Sequence, residues 1–331
     1  MLNTAIIGLG WWGRHIVDSI ADSKKLQIIR GVDKKSIEIK PFSNAVKFPI
    51  TNNLEDALRD ENIEAVILAT PHSLHEEQII RSAHAKKHVF VEKPLTLTAE
   101  GAKKAIKVCE SANLILGVGH ERRFEPAFKA IQNLVKNGDL GTLMHVESNF
   151  SHDLLANTDT DDWRASPMEA PIPALSSMGI HLTDMYINLF GPIHEVYAHH
   201  TQRHTNWGSG DTLSVQVLFD SGLTGYISTI LATTMFIRFH VFGSNGWVEV
   251  RSDVHPGQKG ITRLTISKSG QPIQTREFEY QDTVRENLEA FSEAVCNNIP
   301  YPFTAEEKLG NILTMEAISR SVRSGKPISV G

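Results

Sequence analysis

The chain predicts an α/β protein: a doubly wound parallel sheet first, then a second α/β domain built on an open, mostly antiparallel sheet. Three observations predict it. Short apolar runs alternate with amphipathic stretches over residues 1–120. After that the rhythm changes to β-branched and aromatic segments separated by turns such as Asp220-Ser221-Gly222 and Ser244-Asn245-Gly246. Finally, 331 residues exceed one comfortable hydrophobic core, so two domains are expected, residues 1–120 and 121–331.

The elements follow in order. TAIIGLG reads as a strand, residues 14–22 as a helix, LQIIRGVD as a strand, EDALRDE as a helix and AVILAT as a strand. HEEQIIRSAHAKK is then a helix, HVFVEK a strand, TAEGAKKAIKVCESA a helix and LILGVGH a strand. Repeated βα units resolve into a parallel sheet with helices on both faces. Past residue 120, the helix PAFKAIQNLVKNG leads to a strand around TLMHVESNF, and a long loop over residues 151–175 carries Pro167, Pro171 and Pro173. A helix from about Ser177 to Leu189 is ended by Gly191 and Pro192. HEVYAHHTQR, DTLSVQVLFDSG, LTGYISTILA, FIRFHVFGS, GWVEVRS, RLTISKSG and QTREFEY form the second sheet, and TVRENLEAFSEAVCN and TAEEKLGNILTMEAISRSVRSG close the chain as helices.

Composition narrows the function. The chain is 41% apolar and 21% charged with a net charge of −5, and no long run of one sign offers a footprint for nucleic acid or an anionic membrane. Cys109 and Cys296 lie far apart in helix-like sequence, as packed thiols of a reducing compartment do. No stretch reaches the roughly 18 apolar residues of a membrane span, and no basic segment precedes the first apolar run, so a cytoplasmic protein is expected. The histidines, among them His72-x-x-His75, His84, His88, His199-His200 and His204, lack a clean ligand set, and no metal is expected.

Gly8-Leu9-Gly10-Trp11-Trp12-Gly13 follows a strand and opens a helix. The first glycine permits the tight turn, the second lets backbone approach a pyrophosphate, and Gly13 lets helix and strand pack closely. Asp33 ends the second strand about 20 residues past the turn, where an acid accepts hydrogen bonds from an adenosine ribose. The pair reads as a dinucleotide site. The acid favours NAD; Lys34 and Lys35 leave NADP open, since they can pair with a 2′-phosphate or simply form a solvated turn. Trp11 and Trp12 either face the cofactor cleft or pack against the second domain.

Two further stretches sit where chemistry is expected. HVFVEKP places Glu92, Lys93 and Pro94 at the carboxyl end of a strand, the edge where open α/β sheets bind ligands, and a lysine there can donate to a substrate hydroxyl. In SSMGIHLTD, His181 lies one helical turn beyond Ser177 and three residues before Asp184. GLGWWG, VEKPL, GHERRF, DDWRASP and MGIHLTD, in that order, resemble the Gfo/Idh/MocA family of NAD(P)-dependent oxidoreductases over nearly the whole chain.

The resemblance implies a Rossmann domain, a C-terminal sheet that makes homodimer or homotetramer contacts, and hydride transfer between nicotinamide and a secondary or anomeric hydroxyl of a sugar, cyclitol or related molecule. By position it implies Lys93 and His181 as catalytic residues. Arg123, Trp163, Arg164 and Asp184 join them as substrate contacts. Gly8, Gly10, Trp11, Trp12, Gly13, Asp33, Lys34, Thr70, Pro71, His72, His75, Glu92, Lys93, Pro94 and Arg164 are implied around the cofactor. One position departs from the pattern: the family commonly has an aspartate where this chain has Ser177, for which a helix-capping role is expected. That loss suits two alternatives, a dehydrogenase of a carboxylated cyclic cis-diol, whose anion Arg164 or Arg123 would meet, and a non-catalytic NAD(P)-binding sensor.

Overall fold

A computed structural model describes residues 1–35, 46–156, 158–159, 162–206 and 209–331. Asp161, the first acid of DDWRASP, lies outside them. The chain forms two compact units, Met1–Glu121 with Asp282–Leu309, and Arg122–Gln281 with Gly310–Gly331.

The first unit is built on β1 (Leu2–Ile7), β2 (Leu26–Val32), β3 (Ile50–Thr51), β4 (Ala65–Leu68), β5 (His88–Val91) and β6 (Leu116–Val118), all parallel, in the spatial order β3-β2-β1-β4-β5-β6. The order reverses at β1, the switch point at which doubly wound sheets open a crevice. Helices α1 (Trp11–Ser19), α2 (Leu54–Leu58), α3 (His75–His84) and α4 (Ala99–Ser111) make the crossovers. Side-chain caps start α2 and α4: the Asn53 side chain accepts from Glu55 N–H, and Thr98 Oγ1 from Gly101 N–H at 3.0 Å. α1 begins at Trp11 and not at residue 14, because the glycine turn runs straight into the helix.

Helix α7 (Thr283–Asn297) also belongs to this unit, whereas the reading in chain order left it with the C-terminal half. Its buried face, Val284, Leu288 and Phe291, packs with Leu2, Ile6, Leu26 and Phe90, and the Phe291 and Phe90 rings meet edge to face at 5.7 Å. Periodicity marks such a helix as amphipathic but does not say which sheet it covers.

The second unit carries β7 (Leu143–Ser151), β8 (Ile193–Thr201), β9 (Thr212–Phe219), β10 (Thr224–Ile230), β11 (Phe236–Gly243), β12 (Gly246–Ser252), β13 (Ile261–Lys268), β14 (Gln274–Glu279) and β15 (Ile328–Ser329). They order as β14-β13-β12-β11-β7-β10-β9-β8-β15, antiparallel except where β10 runs parallel to β7. One face buries alternating side chains such as Val146, Val215, Ile227, Phe239 and Val250 under α5 (Pro126–Lys136), α6 (Ile180–Phe190) and the C-terminal part of α8 (Ala305–Ser324). Gly191, at φ +87°, ends α6 ahead of Pro192.

Phe291 is fully buried. Its replacement by Ala is expected to lower stability by about 3–5 kcal/mol in urea titrations followed by circular dichroism. A loss below about 1 kcal/mol would contradict the placement of α7 in the first core.

Candidate functional site

On the first unit, the glycine turn is defined by what cannot be added to it. Gly8 sits at φ +95°, and a Cβ there would collide with Ala69 O; a Cβ on Gly13 would collide with Gly8 O. Asp33 ties the turn to the end of β2: its Oδ2 accepts from Leu9 N–H at 2.7 Å and its Oδ1 from Lys35 N–H at 2.9 Å. Arg14 Nε donates to Leu9 O at 2.9 Å, closing the same loop. Lys34 and Lys35 are exposed.

Trp11 is 64% exposed, its ring 5.5 Å from that of Trp12, which in turn lies 4.8 Å from His15. Thr70 Oγ1 donates to Gln78 Oε1 at 2.6 Å, and Pro71 leads into a short 3-10 turn over His72–Leu74. His75 is fully buried, with Nδ1 2.8 Å from Pro94 O and Nε2 3.0 Å from Thr70 O. Its ring joins two loops.

Lys93 is half-buried on the turn after β5. Glu92 beside it is buried, and its carboxyl is pushed up to about 7 by desolvation; the Trp12 indole N–H and the neighbouring Lys93 pull more weakly the other way.

On the second unit, His181 and Asp184 share α6. Arg123 holds Asp184 in a buried, two-pronged ion pair, Nη2 to Oδ1 at 2.6 Å and Nε to Oδ2 at 2.8 Å. Arg164 lies over the Trp163 ring at 4.4 Å and pairs with Asp162 Oδ1 at 3.3 Å, while the same oxygen caps the short turn Trp163–Ala165 by accepting from Arg164 N–H.

Ser177 does not cap a helix, correcting that expectation. It lies inside a π-helical turn, Leu175–Gly179, that runs without interruption into α6, whose N-terminal cap position is Gly179. Ala174 is already helical at φ −62° and ψ −30°, so the helix offers no free end at Ser177.

The sequence reading passed over Phe150, which neighbours His181, and the groups gathered around its ring. Phe150, at the end of β7, has the His181 ring at 6.2 Å, His152 at 5.5 Å and His255 at 6.3 Å, and the Arg122 guanidinium over its face at 4.6 Å. Arg122 is also paired with Glu125 at 2.7 Å. The doublet Arg122-Arg123 in GHERRF was visible, but not which arginine goes where; His152 and His255 carry no spacing signal.

A model described as the oxidoreductase family, NAD-binding Rossmann fold, matches residues 2–120, and one described as the GFO/IDH/MocA C-terminal domain matches residues 128–249. The chain belongs to the GFO/IDH/MocA oxidoreductase family. It is similar to the uncharacterized oxidoreductase YrbE of Bacillus subtilis, 26% identical over 99% of this chain and 96% of that protein. It is also similar to the NAD-dependent scyllo-inositol 2-dehydrogenase of the same organism, 26% identical over 98% and 95%. Aldose-aldose oxidoreductase from Caulobacter crescentus shares the fold, with a TM-score of 0.88, 24% identity and 99% coverage of both chains.

The first unit of this oxidoreductase fits NAD. α1 has no acidic residue in its first turn and no side-chain cap, so its N-terminal N–H groups are open to a pyrophosphate, and among the described residues a Cβ on Gly10 would meet nothing within 4 Å beyond its own chain neighbours.

Two outcomes are expected of the buried groups. Glu92 keeps a proton in the folded chain that the unfolded chain releases between pH 4.5 and about 7, so its contribution to stability falls as pH rises and its penalty is complete above that range. Glu92→Gln removes the penalty: urea titrations are expected to show a gain of roughly 3 kcal/mol at about pH 8 and none at about pH 4. A gain independent of pH would contradict it. Asp184→Ala leaves Arg123 buried without its carboxylate, and the same titration should show a loss of about 3–5 kcal/mol.

Proposed function

We propose that the chain is an NAD-dependent dehydrogenase of a neutral polyol, a sugar or cyclitol, acting at a secondary or anomeric hydroxyl. The substrate class is supported by the relatives, scyllo-inositol 2-dehydrogenase among them. NAD, when bound, supplies the hydride acceptor. Lys93 donates to the substrate oxygen and stabilises its developing negative charge, and His181 takes the hydroxyl proton. Asp33 accepts from the ribose hydroxyls and places a fixed negative group where a 2′-phosphate would have to lie, which favours NAD over NADP.

The observation that carries the choice of a neutral substrate is the pairing of the arginines. Arg123 holds Asp184, Arg164 holds Asp162 and Arg122 holds Glu125. The two arginines that would meet a substrate carboxylate thus already hold carboxylates, so the carboxylated-diol reading loses its recognition element.

Assembly as a homodimer or homotetramer is assigned to the outward face of the nine-stranded sheet. There Tyr226 is exposed, and His240 stacks on Phe242 at 3.8 Å with Trp247 5.2 Å away. No helix among the described residues is long and apolar enough to cross a membrane. The two cysteines are free, Cys109 buried with its thiol pushed up to about 11 by burial, which supports a reducing, cytoplasmic setting.

The deciding assay follows reduced nicotinamide by absorbance, with NAD and NADP offered separately against aldoses, inositols, anhydrosugars and cyclic diol carboxylates. Turnover is expected with NAD and a neutral polyol. Lys93→Ala and His181→Ala should each cut kcat about a hundredfold or more with nucleotide binding retained. Near-normal rates in both variants would refute the roles, and turnover confined to the carboxylates would refute the substrate class.

A further inference from the structure

His75 is a buried side chain with two hydrogen-bond contacts of one kind. Nδ1 lies 2.8 Å from Pro94 O and Nε2 lies 3.0 Å from Thr70 O, and a carbonyl oxygen can only accept. A neutral imidazole has one N–H and one lone pair. Whichever tautomer formed, one nitrogen lone pair would face a carbonyl lone pair at hydrogen-bond distance, with no water layer between them. Only the imidazolium donates to both.

The two carbonyls belong to different loops. Thr70 follows β4, and Pro94 closes the turn that carries Glu92 and Lys93. We propose that His75 is a positioning residue held as an imidazolium, and that its two donated hydrogen bonds set the separation of these loops and thereby the place of the Lys93 ammonium. The functional half of the inference rests on the role given to Lys93 under Proposed function; the protonation half does not.

The titratable groups on the surrounding elements are His72, Glu76, Lys104, Glu92, Lys93 and His88. His72, on the preceding turn, has its ring 5.9 Å away. Glu76, on the same helix, has Lys104 of α4 3.8 Å from it. Glu92 and Lys93 lie on the turn itself, with Lys93 N–H donating to Glu92 Oε2 at 3.3 Å. β4 carries none, and on β5 the half-buried His88, held below its ordinary value by desolvation, accepts from Ile115 N–H through Nδ1.

The test uses the full-length protein labelled with 15N-histidine. A long-range 1H–15N spectrum near neutral pH is expected to show one histidine with both ring nitrogens protonated, and that signal should vanish in His75→Gln. In the same variant kcat should fall roughly tenfold or more, with the nucleotide KM changing less than about threefold, because the loss is one of geometry at Lys93.

Raising the pH should remove the second ring proton and kcat over the same range in the wild type, and His75→Gln should lose that alkaline limb. A His75 signal with a single protonated nitrogen overturns the inference, as does a kcat in His75→Gln within about twofold of wild type. If His75→Gln does not fold, His75→Asn makes the assignment, and the wild-type spectrum decides the protonation. If the doubly protonated signal is present while no polyol is turned over by the wild type, the protonation stands and the reading under Proposed function falls.

Discussion

Parallel register is the constraint on which the first unit depends. Val32 pairs with Ile7, Ile7 with Leu68, Leu68 with Val91 and Val91 with Val118, so the last residues of five strands form one row. Ladder bonds extend the row by a residue: Gly8 N–H donates to Val32 O, Ala69 N–H to Ile7 O, Glu92 N–H to Leu68 O and Gly119 N–H to Val91 O. Every candidate group of this unit therefore leaves the sheet from the same edge and at the same height. A slip of one residue would send Asp33, Thr70 and Lys93 to different levels and break the Leu9–Asp33 bond. Absence of side chains at Gly8 and Gly13 then lets α1 close over that edge, and His75 fixes the spacing of two of the loops that rise from it.

The second unit meets a different demand. A nine-stranded sheet buried on one face needs a continuous apolar cover, and α6 provides much of it: nearly all of its residues are buried, His181 and Asp184 included. Carboxylates and guanidinium groups set among so much apolar surface are tolerable only as pairs. Asp184 meets the condition through Arg123, and Arg122 does so through Glu125 and the faces of Phe128 and Phe150. The junction segment Arg122-Arg123 is thus structural chemistry first, supporting the surroundings of His181.

What could be seen in the sequence followed from local rules. Strand runs, the glycine turn, Asp33 at the end of β2 and Gly191-Pro192 at the end of α6 are each dictated within a few residues. Where the expectation failed, a longer-range cause decided the outcome. Ser177 was expected to cap a helix, but the preceding residues are drawn into helical conformation as part of the buried cover, leaving no end to cap. α7 lies some 160 residues beyond β6 in the chain and still completes the first core, as its Asn287 Nδ2 shows by donating to Val118 O at 2.9 Å. The short edge strands β3 and β15 have two residues each and exist only through their partners. Arg122, His152 and His255 converge on Phe150 from three segments, a relation that no spacing encodes.

The arginines also explain why losing an acid at Ser177 need not signal a charged substrate. Were Arg123 and Arg164 left without counter-ions, the missing carboxylate would create a net positive region suited to an anion. Instead each has its own acid, Arg164 through a residue two positions before it in the same turn and Arg123 through the acid three residues after His181. A serine at position 177, where the family resemblance implies an aspartate, therefore leaves neither arginine without its acid. A second carboxylate brought in by a substrate would meet a guanidinium already shared with a fixed acid, and its desolvation would be poorly compensated. Hydroxyl groups cost less to desolvate than a carboxylate, and they suit imidazoles that can both donate and accept. The charge pattern of the second unit thus supports the neutral polyol proposed for this chain.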